Sequence, residues 1–113
     1  MHEMALCESI VQILEEEARR HGFSRVRAVH LEVGALAGVE IPALEFGFEV
    51  VCHGTLAEGA RLHVIRTPGT AWCLRCETTV EVPDRFSPCP RCGGWQVQVT
   101  GGEDLRIREL EVE

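Results

Sequence analysis

Tyrosine is absent from this 113-residue chain, and the only large rings are four phenylalanines and two tryptophans. The core must therefore be aliphatic and modest, and a small module with little core usually needs a staple. No apolar run approaches the roughly 20 residues that a membrane-spanning helix requires. The start, Met1-His2-Glu3, lacks the basic segment leading into an apolar stretch that marks a signal peptide. Basic charge is also scarce, with 11 basic against 18 acidic side chains and a net charge of −7. A nucleic-acid-binding face needs cations to neutralise phosphates, so that class is disfavoured, and no membrane role is expected. No glycine loop of the phosphate-binding kind occurs, and no serine or cysteine nucleophile is paired with a histidine in a recognisable pattern. The chain is not expected to be an enzyme, and any nucleotide hydrolysis belongs to a partner.

What the chain does have is cysteine in a pattern. Four of its six cysteines form two Cys-x-x-Cys pairs, Cys73–Cys76 and Cys89–Cys92, with twelve residues between them. That spacing fits a tetrahedral four-sulfur site with metal–sulfur distances of about 2.3 Å for zinc. Pro68-Gly69, Pro83, Pro88, Pro90 and Gly93-Gly94 surround the pairs, so these read as two knuckles at hairpin ends. Two disulfides or a thioredoxin-like redox pair are the alternatives, but redox chemistry of that kind uses one pair on a βαβ scaffold. Charges inside the module cancel, with Arg75, Arg85 and Arg91 standing against Glu77, Glu81 and Asp84. Unpaired Cys7 and Cys52 beside two metal-type pairs point to a reducing, cytoplasmic setting.

Periodicity divides the remainder. Residues 4–21 read as an amphipathic helix on the stripe of Cys7, Val11, Leu14 and Ala18, widened by Leu6, Ile10 and Ile13. Glu15–Arg19 and Glu16–Arg20 are expected ion pairs on its exposed face. Gly22 supplies the stop, with His21 beside the last carbonyls. Residues 25–33 alternate as a strand. Pro42 opens a second helix running to about Cys52, with Leu44, Phe48 and Val51 on one face. Residues 61–66 form another strand, and 96–100 alternate again. The segment 105–113 reads as a closing strand that returns to the first two, its apolar phase slipping between Ile107 and Leu110. The expected architecture is α+β, a small sheet with two helices interrupted by a zinc-ribbon-like insert. The α+β domain takes residues 1–68 and 96–113, and the insert takes 69–95.

Met1-His2-Glu3 is itself a candidate site. The Met1 amine and the His2 amide nitrogen close a five-membered chelate ring, and the His2 Nδ1 closes a six-membered one. The Glu3 amide completes a four-nitrogen plane after deprotonation. Planar nitrogen sets favour Ni(II) or Cu(II) over zinc.

Met1-His2-Glu3 leading into a helix, the strand ending Leu31-Glu32-Val33-Gly34, the stretch 42–51, the paired cysteines and the closing 101–107 together resemble the HypA/HybF family over essentially the whole chain. These are nickel metallochaperones of nickel–iron hydrogenase maturation. The resemblance implies transferable Ni(II) held principally by His2, with the Met1 amine and the backbone at Glu3. It implies structural Zn(II) on Cys73, Cys76, Cys89 and Cys92. It further implies delivery to the hydrogenase large subunit with a HypB-type GTPase, a link to urease maturation in some organisms, and communication between the two metal sites. A zinc-ribbon interaction module without transferable metal is the alternative, followed by a rubredoxin-like iron carrier suggested by Cys89-Pro90-Arg91-Cys92-Gly93.

Other candidates have plainer explanations. His30 and His63 lie in strands and are expected to be polar-face or hydrogen-bonded histidines. Cys7 sits on an apolar stripe and is expected to be buried. Cys52-His53 are adjacent and poorly placed to share an ion. Glu40 is expected to serve as a cap-region carboxylate in preference to an outer nickel ligand. Trp72 and Trp95 flank the cysteine module and either pack on the knuckles or mark a partner surface.

Overall fold

The computed structural model describes residues 3–113, so the nominated Met1 and His2 lie outside the described residues. Its elements are α1 (Glu3–His21), β1 (Val26–Gly34), α2 (Ile41–Cys52), β2 (Arg61–Thr67), β3 (Gly69–Cys73), β4 (Thr78–Val82), β5 (Val97–Gly101) and β6 (Leu105–Val112). They form the expected α+β architecture, with two three-stranded sheets ordered β2-β1-β6 and β4-β3-β5. By internal contacts the chain divides into two compact units. One takes the residues up to Leu31 together with Val39–Val64 and Ile107–Glu113; the other takes Glu32–Gly38 and Ile65–Arg106.

In the first unit, helical spacing buries Cys7, Ile10, Val11 and Leu14 along α1. Gly22 ends the helix as expected, with φ +74° and its N–H donating to the Ala18 carbonyl at 2.9 Å. The surface pairing differs from expectation. Arg20 reaches Glu17 at 3.4 Å, and His21 Nε2 lies 3.0 Å from the other Glu17 oxygen instead of sitting over the last carbonyls. Glu17 is one turn before both bases, and such exposed pairs are worth only a few tenths of a kcal/mol. Pro42 opens α2, which buries Leu44, Gly47, Phe48 and Cys52. Val51, nominated for that face, is only half-buried. Gly47 takes a place there because a Cβ would meet Cys7 Sγ at 3.3 Å, and the Cys7 thiol donates to the Leu44 carbonyl at 3.4 Å. Burial pushes the Cys52 thiol up to about 11, with Cys7 adding to it. Cys7 is raised too, first by burial and then by Glu3 and Glu8. Both therefore persist as small apolar thiols.

The last strand, β6, lies beside β1, returning to the first two strands as expected. Its phase slips where expected, with Leu105, Ile107 and Leu110 half-buried and position 109 exposed.

In the second unit β3 is the central strand, antiparallel to β4 from Gly69↔Val82 to Cys73↔Thr78 and to β5 from Thr70↔Gly101 to Cys73↔Val97. Alternation turns Ala71 and Cys73 inward, with Ala71 opposite buried Val80 and Gly69 opposite buried Val82. This unit is wider than the turn-rich 69–95 stretch, because β5 pairs with β3 and because Glu32–Gly38 and the start of β6 belong to it. The strand at 96–100, expected with the α+β domain, pairs with β3 instead, because alternation identifies a strand and not its neighbour.

Gly102 turns the chain from β5 into β6 at φ +80°, and a Cβ there would collide with the Pro68 carbonyl. Its own carbonyl accepts the Leu36 N–H at 2.7 Å, so the backbone cannot simply withdraw. Gly102→Ala is expected to destabilise the protein by about 1–2 kcal/mol from the left-handed conformation alone. Displacement of Pro68 adds to that cost, and urea unfolding at fixed zinc content measures the sum.

Candidate metal centre

The first knuckle is the tip of the β3–β4 hairpin, since β3 ends at Cys73 and β4 begins at Thr78. The Glu77 N–H closes the turn onto the Cys73 carbonyl at 2.8 Å. The second knuckle repeats this closure, with the Gly93 N–H on the Cys89 carbonyl at 2.8 Å. It lies in the irregular segment between β4 and β5, not at a hairpin end as expected. Proline at 83, 88 and 90 explains the difference, because proline has no N–H to give a strand ladder. Each knuckle aims backbone N–H groups at its sulfurs: Cys76 N–H to Cys73 Sγ, Arg91 N–H to Cys89 Sγ and Gly94 N–H to Cys92 Sγ, all at 3.4 Å.

The two knuckles bring four sulfurs to one point. All four lie within 4.8 Å of one another, with Cys73 Sγ–Cys92 Sγ at 3.7 Å and Cys76 Sγ–Cys89 Sγ at 3.9 Å. A tetrahedron with metal–sulfur bonds of about 2.3 Å has sulfur–sulfur edges of about 3.8 Å. A disulfide needs about 2.05 Å, and all six cysteines are free thiols. Both of these contacts run between the pairs, which suits a shared ion.

Electrostatics lead the same way. Hydrogen bonding from the Cys92 backbone, supplemented by that of Arg91, lowers the Cys89 thiol to about 7. Cys76 is pushed up to about 12, first by its hydrogen bond with Cys92 and then by burial. One thiol ionises readily and a neighbour resists, because hydrogen bonding and burial favour its protonated form. A divalent cation at the centre removes that resistance, and a coordinating thiol loses its proton outright. The donor set fits structural zinc: four thiolates close the coordination sphere and leave no position for substrate.

The knuckles differ at one residue. After its second cysteine each turn needs a left-handed residue; the second uses Gly93 at φ +71°, and the first holds Glu77 at φ +52°. Glu77→Gly is expected to stabilise the zinc-loaded protein by about 0.5–1 kcal/mol, and Gly93→Ala to destabilise it by about 1–2 kcal/mol. Thermal unfolding of both variants at matched zinc content measures the contrast.

The remaining nominated residues are placed as follows. Glu3 is the first residue of α1, and its carboxylate accepts the Glu40 backbone N–H at 3.2 Å. Glu40 occupies the N-cap position of α2, but its own side chain makes no capping hydrogen bond, contrary to expectation. His53 Nδ1 is 2.7 Å from Glu58, whereas Cys52 is buried, so the adjacent pair does not converge. Trp72 is 38% and Trp95 70% exposed, so Trp95 is not packed into the knuckles. His30 is hydrogen-bonded, as expected of a strand histidine, through Nε2 to Glu111 at 2.8 Å. His63 stacks on it, and this three-residue cluster escaped the sequence analysis because its members are far apart in the chain.

Comparison with known proteins gives a consistent result. The model of the family described as "Hydrogenase/urease nickel incorporation, metallochaperone, hypA" matches residues 1–112. The chain is 63% identical to the hydrogenase maturation factor HypA of Alkalilimnicola ehrlichii and 58% identical to HypA 2 of Bradyrhizobium diazoefficiens, each over 113 residues covering 100% of both chains. Its fold is similar to the solution structure of the Ni metallochaperone HypA from Helicobacter pylori. The TM-score is 0.70 at 20% identity, covering 99% of this chain and 97% of that one. With matches that run from end to end and a four-cysteine cluster of tetrahedral dimensions, the chain belongs to the HypA family of hydrogenase maturation factors, the nickel-incorporation metallochaperones.

Proposed function

We propose that this protein carries Ni(II) at Met1-His2-Glu3 and hands it to the hydrogenase large subunit in cooperation with a HypB-type GTPase. Cys73, Cys76, Cys89 and Cys92 hold structural zinc. The observation that carries this reading is a nickel-incorporation family match over residues 1–112 that includes the imidazole of His2. The nickel plane would use the Met1 amine, the His2 amide and Nδ1, and the Glu3 amide.

Nickel, as cargo, needs ligands that can be exchanged for a partner's. A terminal amine and imidazole offer that, and closed thiolates do not. Separation by donor type keeps zinc on sulfur and nickel on nitrogen, which affinity order alone does not secure. Coordination displaces protons from the amine and amides, so nickel affinity rises with pH. The work is done in the cytoplasm, and the same cargo suits urease maturation factors as recipients. No role requires this chain to catalyse a reaction. Communication between the sites is part of the proposal; zinc-edge absorption spectra that ignore both pH and nickel load would remove it.

Calorimetric nickel titration of the native-terminus protein and of His2→Ala, with zinc quantified in both, tests the assignment. One strong equivalent is expected in the first and its loss in the second, at equal zinc content. Equal strong binding by both proteins would sink the terminal site.

A further inference from the structure

Strand order in the first sheet brings together three residues that the sequence keeps far apart. β1 is central, so His30 on β1 has His63 of β2 on one side and Glu111 of β6 on the other. All three belong to the first compact unit. Within β1, Val29 and Leu31 are fully buried, and His30 between them is half-buried, its side chain 22% exposed. His63 and Glu111 are exposed. The row therefore lies across the open face of the sheet, anchored by its middle member.

Three side chains able to donate to a metal lie close together. His30 Nε2 is 2.8 Å from Glu111 Oε2, and the two imidazoles lie 4.6 Å apart between ring centres at an interplanar angle of 17°. One nitrogen from each histidine and one carboxylate oxygen all fall within 4.8 Å of one another. Donors at about 2.0–2.1 Å from a tetrahedral ion stand about 3.4 Å apart. The His30–Glu111 pair is already inside that distance, and the others must close by at most about 1.4 Å. That closure is available to His63 and Glu111, whose side chains stand in solvent.

The charge state suits a cation. Hydrogen bonding to His30 holds the Glu111 carboxyl below its ordinary range, with His63 and Arg61 lowering it further, so it is anionic at neutral pH. Beside the row opens a cavity of about 560 Å³, into which Arg25, Arg27 and Arg61 face with Glu58, Glu111 and Glu113. Guanidiniums and carboxylates balance there, so the cavity does not add a net positive field. It leaves room for water or an incoming ligand to complete the coordination sphere.

We propose that His30, His63 and Glu111 form a second, exchangeable binding site for a divalent first-row transition ion, nickel or zinc, on the open face of the β2-β1-β6 sheet. Two imidazoles and one carboxylate select borderline ions of this class over magnesium or calcium, which take oxygen ligands. Three protein ligands leave open positions, which makes this a site for loading and release, unlike the closed four-cysteine centre.

The test uses zinc-replete His2→Ala protein, in which the proposed terminal site is silenced. Calorimetric titration with Ni(II), and separately with Zn(II), is expected to show one further equivalent. His63→Ala and Glu111→Gln, each in the same background, are expected to weaken it by at least about tenfold with unchanged circular dichroism. Imidazole nitrogen resonances of His30 and His63 should shift together on Zn(II) addition. Absence of any further equivalent, or binding that neither substitution weakens, overturns the proposal. Because terminal binding is read from the native-terminus protein and this site from the His2→Ala background, either can fail while the other stands.

Discussion

Cys73→Ser is expected to release zinc and unfold the second unit while the helical signal of the first persists. The reason lies in the composition of the small core. Its buried members are Leu36, Ala71, Cys73, Val80, Val82 and Cys89, with Cys76, Cys92, Val97 and Val99 packed against them. Four of those ten residues are the motif cysteines, and none is aromatic. Structural zinc contributes on the order of 10 kcal/mol or more to modules of this kind. That matches or exceeds the roughly 5–15 kcal/mol total stability of a typical domain, so the second unit has no reserve to replace it. Amide resonances of Ala71, Val80 and Val82 should collapse, and those of Leu14 and Leu31 should stay dispersed, because their core contains no motif cysteine. Retention of one zinc per chain and of the Val80 and Val82 resonances would refute the staple. A strong chelator applied to the unaltered protein should reproduce the result.

Adding a Gly-Ser pair before Met1 is expected to abolish stoichiometric nickel binding without touching zinc content or unfolding. The extension turns the Met1 amine into a peptide amide and moves the imidazole to the fourth position, where its chelate ring with a terminal amine no longer closes. Loss of a mere supporting hydrogen bond costs a metal site about 10–100-fold in affinity. Loss of a coordinating amine with its ring should cost more. Competition against a nickel indicator reads the affinity, and its dependence on pH provides a second check. The native terminus should bind more tightly as pH rises, because the amine and amides must surrender protons. An extended chain that binds at native strength would transfer the nickel ligands elsewhere in the molecule.

Local periodicity carried much of the fold. The apolar stripe of α1, Pro42 at the start of α2 and the alternation of β1, β2 and β6 are patterns repeated within a few residues, and hydrogen bonding in these elements is local or strand-regular. The slip at Leu110 was visible too, because it is a break in that pattern. Side-chain pairing was less legible. Glu17 gathers both Arg20 and His21, and nothing in the spacing chose it over Glu15 or Glu16. The Glu40 side chain forms no cap, and its backbone N–H is bound by Glu3, 37 residues away in sequence.

Cysteine spacing is a chemical statement on its own, since two thiols three apart must share one tight turn wherever the chain runs. The sequence therefore determined the two knuckles, the thiol identity of the centre and the family. It did not determine that the two pairs converge on one point, which follows from where the loop after β4 returns to the hairpin tip. Nor did it assign β5 to β3, or set His30 beside His63 and Glu111. Those are matters of strand order and register, decided by which apolar faces close on one another across long loops. Local patterns name the elements; only burial of distant faces against each other chooses their neighbours.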